Sequence, residues 1–383
     1  MRNERERVLD GFDTGIYDTC QHTCCRRLKQ DPTFLGGLIK SIPQIPRPCT
    51  VAYQLPSSFI LPMSSLVGES SAVLDTTIDS RLLLPVTIYY EDTDCVGIVY
   101  HSNYLKYFER GREQLLGQDA LVSLFDAFGK SFVVVNVKID FKRSARHGDN
   151  LIVRTIPTVE SSFRLEFDQT VWRINRDDSQ TLVVKGTVQM VCVTSDMKIC
   201  GLPEMITVDM RASFGELLDP KPKVGRRLPL KKQIAATTKQ RAKCEFEIEI
   251  YYEDTDFTGV VYYANYLKFM ERARSQLFGF KQLAIMKRDH RASFAVYSAN
   301  LDYKNGATIG DLIVVKTECV IESDYRVAFE QNVFRRRAAL EDDGASGDVL
   351  LVKGSLVLCC IDDGGKLVKL PQMVFELPAV PGQ

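Results

Sequence analysis

The sequence predicts two copies of one α+β domain in a single chain, each copy a central helix set against an antiparallel sheet of about five strands. Three observations carry this: an internal repeat at an offset of 162 residues, one apolar helical face after a shared turn, and period-two alternation beyond it.

The repeat comes first because it sets the boundaries. Leu84 to Gly117 and Phe246 to Gly279 are identical at 20 of 34 positions without a gap. The offset then holds through Phe141-Lys142 against Tyr303-Lys304 and Glu160-Ser161 against Glu322-Ser323. It becomes 168 where Val184-Lys185-Gly186 answers Val352-Lys353-Gly354. The six extra residues fall in the Asp/Gly/Ser-rich stretch around Glu341 to Asp348, the composition of a surface turn. The copies are expected over residues 81–209 and 244–378. Residues 1–80 form an N-terminal extension read as largely disordered, with scattered Pro, Ser and Gly and no sustained period. Residues 210–243 form a linker whose stretch from Pro220 to Lys243 carries nine Lys or Arg and no acid. A solvated, self-repelling spacer is the expected role, with a nuclear signal or anion-binding arm as the alternative.

Within each copy a strand leads into the turn motif, and a helix follows. Tyr104, Phe108, Gly111 and Leu115 recur at helical spacing, as do Tyr266, Met270, Ala273 and Leu277. The small residue at Gly111 or Ala273 lets a sheet approach closely, and Gly117 and Gly279 stop the helix. Val133, Val135, Val137, Ile139 and Phe141 then alternate, as do Phe163, Leu165, Phe167 and Val171. Leu151 to Pro157, Leu182 to Thr194 and their counterparts complete the sheet. One such sheet exposes an edge and cannot cover its helix, so the copies are expected to pair as an intramolecular pseudo-dimer, with a dimer of chains also open.

Composition excludes several functions. Forty-nine Lys plus Arg balance 49 Asp plus Glu, so no global field recruits nucleic acid or an anionic membrane. No run of apolar residues is long enough for a membrane-spanning helix. Met1 to Arg7 mixes Arg and Glu without an apolar run, unlike a signal peptide. Eleven cysteines, mostly scattered singly, suit a reducing compartment, and a cytoplasmic location is expected, organellar targeting being left open. Cys20, Cys24 and Cys25 beside His22 lack a second ligand pair, so no metal is expected. No Gly-x-Ser-x-Gly elbow, Walker sequence, Gly-x-Gly-x-x-Gly or His-Glu-x-x-His occurs, and no cofactor is called for.

The chemistry sits in the turn. Tyr89 to Tyr104 and Tyr251 to Tyr266 place a carboxylate, Asp94 or Asp256, three residues before Gly97 or Gly259 and seven before a helix start. A glycine frees the backbone there, so the carboxylate can face the unpaired N–H groups of the first helical turn. Such donors stabilise an oxyanion as it develops. Tyr90 and Tyr252 either orient the carboxylate or pack their rings, and Asn103 and Asn265 read as helix caps. Glu109, Arg110 and Arg112, with Glu271, Arg272 and Arg274, read most simply as a solvated helix face, a catalytic Glu being the minority alternative. Lys138, Arg143, Arg146 and Lys304 read as surface charges with a possible role at anionic groups of a substrate.

Asp94, Gly97, Ile98-Val99 and Tyr100, with Asp256, Gly259, Val260-Val261 and Tyr262, resemble the signature of hot-dog thioesterases of the 4-hydroxybenzoyl-CoA and YbgC-like acyl-CoA thioesterase family. The resemblance implies a tandem double hot-dog that hydrolyses acyl-CoA to free acid and thiol, with Asp94 and Asp256 as general base or nucleophile. It implies that the oxyanion donor is the backbone N–H of His101 in copy one and of Tyr263 in copy two, with Tyr100 and Tyr262 beside them. His101 occurs in the YbgC-like branch and is expected to exchange protons near neutral pH; Tyr263 departs from that pattern. Both sites are expected to work. The alternatives are an acyl carrier protein thioesterase, a hot-dog dehydratase or hydratase needing a His–acid pair, and a non-catalytic acyl-CoA sensor.

Overall fold

A computed structural model describes residues 79–215, 241–336 and 347–376, and both repeats fall in one compact unit, Ser57–Gln383. The expectations for residues 1–78 and 216–240, the cysteine cluster and the basic spacer among them, lie outside the described residues.

Copy one runs β1 (Leu83–Thr87), α1 (Asn103–Leu116), α2 (Gln118–Phe128), β2 (Lys130–Phe141), β3 (Asn150–Ser161), β4 (Arg164–Ile174) and β5 (Gln180–Thr194), followed by α3 (Glu204–Phe214). Copy two runs β6 (Arg241–Glu249), α4 (Asn265–Phe278), α5 (Phe280–His290), β7 (Ala292–Tyr303), β8 (Leu312–Ser323), β9 (Arg326–Arg335) and β10 (Val349–Asp362). The strand order β1-β3-β4-β5-β2-β7-β10-β9-β8-β6 makes one ten-stranded antiparallel sheet from two sets of five.

The seam is β2 against β7. Val137 lies opposite Leu301, Lys138 opposite Asn300 and Ile139 opposite Ala299. Lys138 and Asn300 are repeat equivalents, and the pairs on either side exchange equivalents, so the two copies meet about a pseudo-two-fold axis. Val137, Ile139 and Leu301 are fully buried there, and Asn136 Nδ2 donates to Asp302 Oδ1 at 2.6 Å. Among the described residues the sheet edges are β1, where Pro85 has no N–H to offer, and β6, which carries Lys243, Glu245, Glu247 and Glu249.

Each long helix lies on its own copy's sheet, α1 on β3 and β1, α4 on β8 and β6. The predicted face, Tyr104, Phe108, Gly111 and Leu115, is buried, with Leu105 buried beside it. A Cβ at Gly111 would stand 2.6 Å from Thr155 Oγ1, which is why that contact takes glycine.

The structure differs from expectation at five places. Among the described residues each copy has two helices: α1 and α4 end at Gly117 and Gly279 as expected, but these residues, at φ +84° and +80°, turn the chain into α2 and α5. Helix α3 also follows copy one. A bulge between Val134 and Asn136 breaks the alternation assigned to β2. Phe163 lies in the turn before β4 and is 36% exposed. Strand β6 begins at Arg241, inside the stretch assigned to the linker, with Lys243 Nζ paired to Glu318 Oε1 across the ladder at 2.8 Å.

Candidate active site

The motif loop is shaped by its own backbone. Thr93 and Val99 bridge antiparallel. Asp94 N–H donates to Ile98 O at 3.0 Å and Gly97 N–H to Asp94 O at 2.9 Å. Gly97 (φ +79°) and Gly259 (φ +81°) occupy the left-handed region, which explains glycine in both copies. Asp94 Oδ1 accepts the Val96 N–H at 2.8 Å. Asp92, two residues earlier, anchors the loop: its carboxylate accepts Tyr107 Oη–H at 2.6 Å and Tyr89 N–H at 2.9 Å. Asn103 and Asn265 do not cap their helices; their Nδ2 groups donate at 3.1 Å to Asp92 O and Asp254 O, tying each helix start to the loop.

Asp94 opens onto a cavity of about 830 Å³ walled by both copies. Copy one supplies Asp94, Tyr100 and His101; copy two supplies Glu271 and Arg274 from α4 and Lys287 from α5. Deeper walls are apolar, with Phe278 stacked on Phe294 at 4.6 Å, beside Leu283 and Met286. Burial raises the Asp94 carboxyl above its ordinary range, and the Glu271 charge adds to this, while the Val96 and Ile98 N–H groups and Lys287 oppose it. Tyr100 N–H donates to Asp92 O and Asn103 N–H to Tyr100 O; among the described residues the His101 N–H has no acceptor. It stands at the start of α1 on the cavity wall, where donor and helix dipole both favour negative charge.

His101 is half-buried with its Nε2 enclosed, and desolvation with the Arg274 charge pushes the imidazole down to about 3. It is neutral at pH 7, and Nε2 has no hydrogen-bond partner among the described residues. Proton exchange near neutrality is therefore not what its surroundings favour, and among the described residues no acid is hydrogen-bonded to its Nε2.

The helix-face charges are the largest correction. Arg112 and Arg274 are 2% and 3% exposed. Arg112 Nη1 donates to Gln169 Oε1 at 2.8 Å, while Gln169 Nε2 reaches Phe108 O and Thr155 Oγ1, each at 2.8 Å. Copy two repeats the lattice: Arg274 Nη1 to Gln331 Oε1 at 2.6 Å, and Gln331 Nε2 to Met270 O and Thr317 Oγ1, each at 2.9 Å. Burial brings Arg274 down to about 10, with the Glu271 charge holding it up. Glu271, half-buried, accepts Ser275 Oγ–H at 2.5 Å and faces the cavity. Gln169 and Gln331, polar residues at matching repeat positions on the otherwise apolar inward faces of β4 and β9, are the signal that a buried partner exists.

Tyr90 and Tyr252 neither orient a carboxylate nor pack inward; they are 80% and 84% exposed, Tyr90 stacked on His147 at 4.1 Å. Of the surface cations, Arg143 lines the cavity mouth, whereas Lys138, Arg146 and Lys304 do not. Phe294 and Tyr297 line it too.

The copy-two loop has the same backbone, with Gly259 N–H on Asp256 O at 2.9 Å and Asp256 N–H on Val260 O at 3.0 Å. Its neighbours are Glu109 and Arg112 of α1. Glu109 is raised by burial and hydrogen-bonded to Tyr262, and the Asp256 charge reaches it. Tyr263 Oη donates to Leu105 O at 2.6 Å and accepts from Arg112 Nη2 at 3.2 Å.

Comparison with known proteins gives the family. The acyl-CoA thioesterase YbgC of Haemophilus influenzae is 33% identical over 143 residues, 37% of this chain and 98% of the relative. The acyl-CoA thioester hydrolase YbgC of Escherichia coli is 34% identical over 133 residues, 33% of this chain and 93% of the relative. In structure, the 12:0-ACP thioesterase from Umbellularia californica superposes with TM-score 0.51 at 10% identity, covering 72% of this chain and 92% of that one, a likeness of fold. Residues 89–210 and 251–376, one stretch per repeat, match the Thioesterase-like superfamily, and the chain belongs to it twice over.

Proposed function

We propose that the protein hydrolyses acyl-CoA thioesters to free acid and CoA at the Asp94 cavity. One observation carries the reading: a raised carboxylate and the unaccepted N–H at the start of α1 open onto the same two-walled cavity. YbgC relatives named as acyl-CoA thioesterases support the substrate class. The acyl chain enters the apolar depth near Phe278 and Phe294, and the anionic CoA end meets Lys142, Arg143 and Lys287 at the mouth. The thioester oxygen accepts the His101 N–H. Asp94 takes a proton from water as it attacks the carbonyl carbon; collapse breaks the C–S bond and the thiolate recovers the proton. Direct attack by Asp94 followed by hydrolysis of the anhydride gives the same products. A carboxyl raised by burial accepts a proton more readily near neutrality, which favours the base route.

The test is release of free thiol, read with a chromogenic disulfide, from acyl-CoAs running from acetyl to palmitoyl and including benzoyl. Saturable turnover of one or more is expected. Tight binding without thiol release would make the protein a sensor, and neither binding nor release would remove the substrate class.

A further inference from the structure

Resting on that reading, we propose that the copy-two site is closed by its own Tyr263, and that each chain turns over acyl-CoA at one site, at Asp94. The two loops share a backbone, so the difference lies in what their side chains occupy. At position 101 an imidazole lines the cavity and Nε2 is unpartnered. At its equivalent, 263, the phenol crosses to the opposite copy and is held at its far end by Leu105 O and Arg112 Nη2. A second bond fixes the same residue, Tyr303 Oη–H donating to Tyr263 O at 3.0 Å, where copy one has Phe141 and no hydroxyl. Ligand entering the second site must therefore displace a ring held at its hydroxyl, on a residue whose backbone carbonyl is held as well. Tyr263 thus occupies Arg112 at the second site, whereas its counterpart Arg274 lies on the cavity wall of the first.

Two further differences point the same way. Asp256 Oδ1 accepts both N–H and Oγ–H of Thr258, at 2.9 and 2.5 Å, whereas Asp94 faces Val96, which has no hydroxyl. At the mouth, Lys287 and Cys95 of site one are replaced by Phe125 and Phe257, edge to face at 5.2 Å. An apolar pair offers nothing to phosphate groups.

The experiment is calorimetric titration of the full chain with non-hydrolysable thioethers, S-ethyl-, S-octyl- and S-benzyl-CoA. One equivalent per chain is expected for the thioether that binds; two equivalents of similar affinity overturn the proposal. Tyr263→His, with fold checked by circular dichroism, is expected to admit a second equivalent, and a folded variant still binding one equivalent removes Tyr263 as the closure. His101→Tyr, the reciprocal change, is expected to abolish both binding and thiol release; a folded variant that keeps both overturns the argument without relying on Tyr263→His. Absence of binding by every thioether, with no turnover, defeats the thioester reading and this proposal with it, a result distinct from two-site binding.

Discussion

Replacing Asp94 by Asn removes a proton acceptor while nearly preserving shape. The amide oxygen can still accept the Val96 N–H now bound at 2.8 Å, and the Gly97 and Ile98 backbone bonds do not involve the side chain, so the loop should persist. What disappears is the half-buried carboxylate. General-base catalysis is worth about 10² to 10⁴ in rate, or about 2.7 to 5.4 kcal/mol of barrier. Thiol release by Asp94→Asn should fall by at least about a hundredfold in kcat, with KM little changed because the apolar depth is untouched. In the wild type, the carboxylate form is the active one. Since burial and Glu271 raise its pKa, kcat/KM should decline as pH falls through a limb lying above the ordinary Asp range. His101, held near 3, should add no limb between pH 5 and 8. A folded Asp94→Asn enzyme with rates within a few-fold of wild type would refute the carboxylate mechanism.

Three other outcomes follow from the packing. Gln331→Leu strips the acceptor from a buried guanidinium and the donor from Met270 O and Thr317; with a charged bond worth about 1.5–3 kcal/mol, urea unfolding should show a loss of roughly 3 kcal/mol, and a loss under about 1 would show that the lattice relaxes. Gly111→Ala forces a Cβ to 2.6 Å from Thr155 Oγ1; overpacking of about 1–3 kcal/mol exceeds a helix-propensity gain of about 1, so the midpoint should drop, and a stabilised variant would contradict the close approach. Proteolytic cutting within residues 216–240 should leave the halves co-eluting on a sizing column, because β2 and β7 hold them; separate monomers would show that the seam is too weak.

The repeat made the two sets of five strands and the α1 face legible, because an identical offset leaves little freedom in alignment. Helix α2 was not. Gly117 reads locally as a stop, and its positive φ, which turns the chain into a second helix, is a three-dimensional fact. Asp94, Gly97 and the helix start were legible as a unit, being contiguous. The burial of Arg112 and Arg274 is not legible locally, since a charge on a helix is solvated unless something distant receives it, and the receivers, Gln169 and Gln331, lie 57 residues away. Glu271 was equally hidden: it lines a cavity whose carboxylate, Asp94, belongs to the other copy.

The cavity wall drawn from both copies has a consequence for mass action. When two separate chains build such a site, dilution below their dissociation constant dismantles it, and specific activity then depends on how much protein is in the tube. Here α4 and the Asp94 loop belong to one polypeptide, and tethering replaces a bimolecular encounter by a local concentration set by the connecting residues. Completion of the site is first order in chain, so turnover per molecule stays constant from micromolar stocks down to the lowest concentration an assay can read.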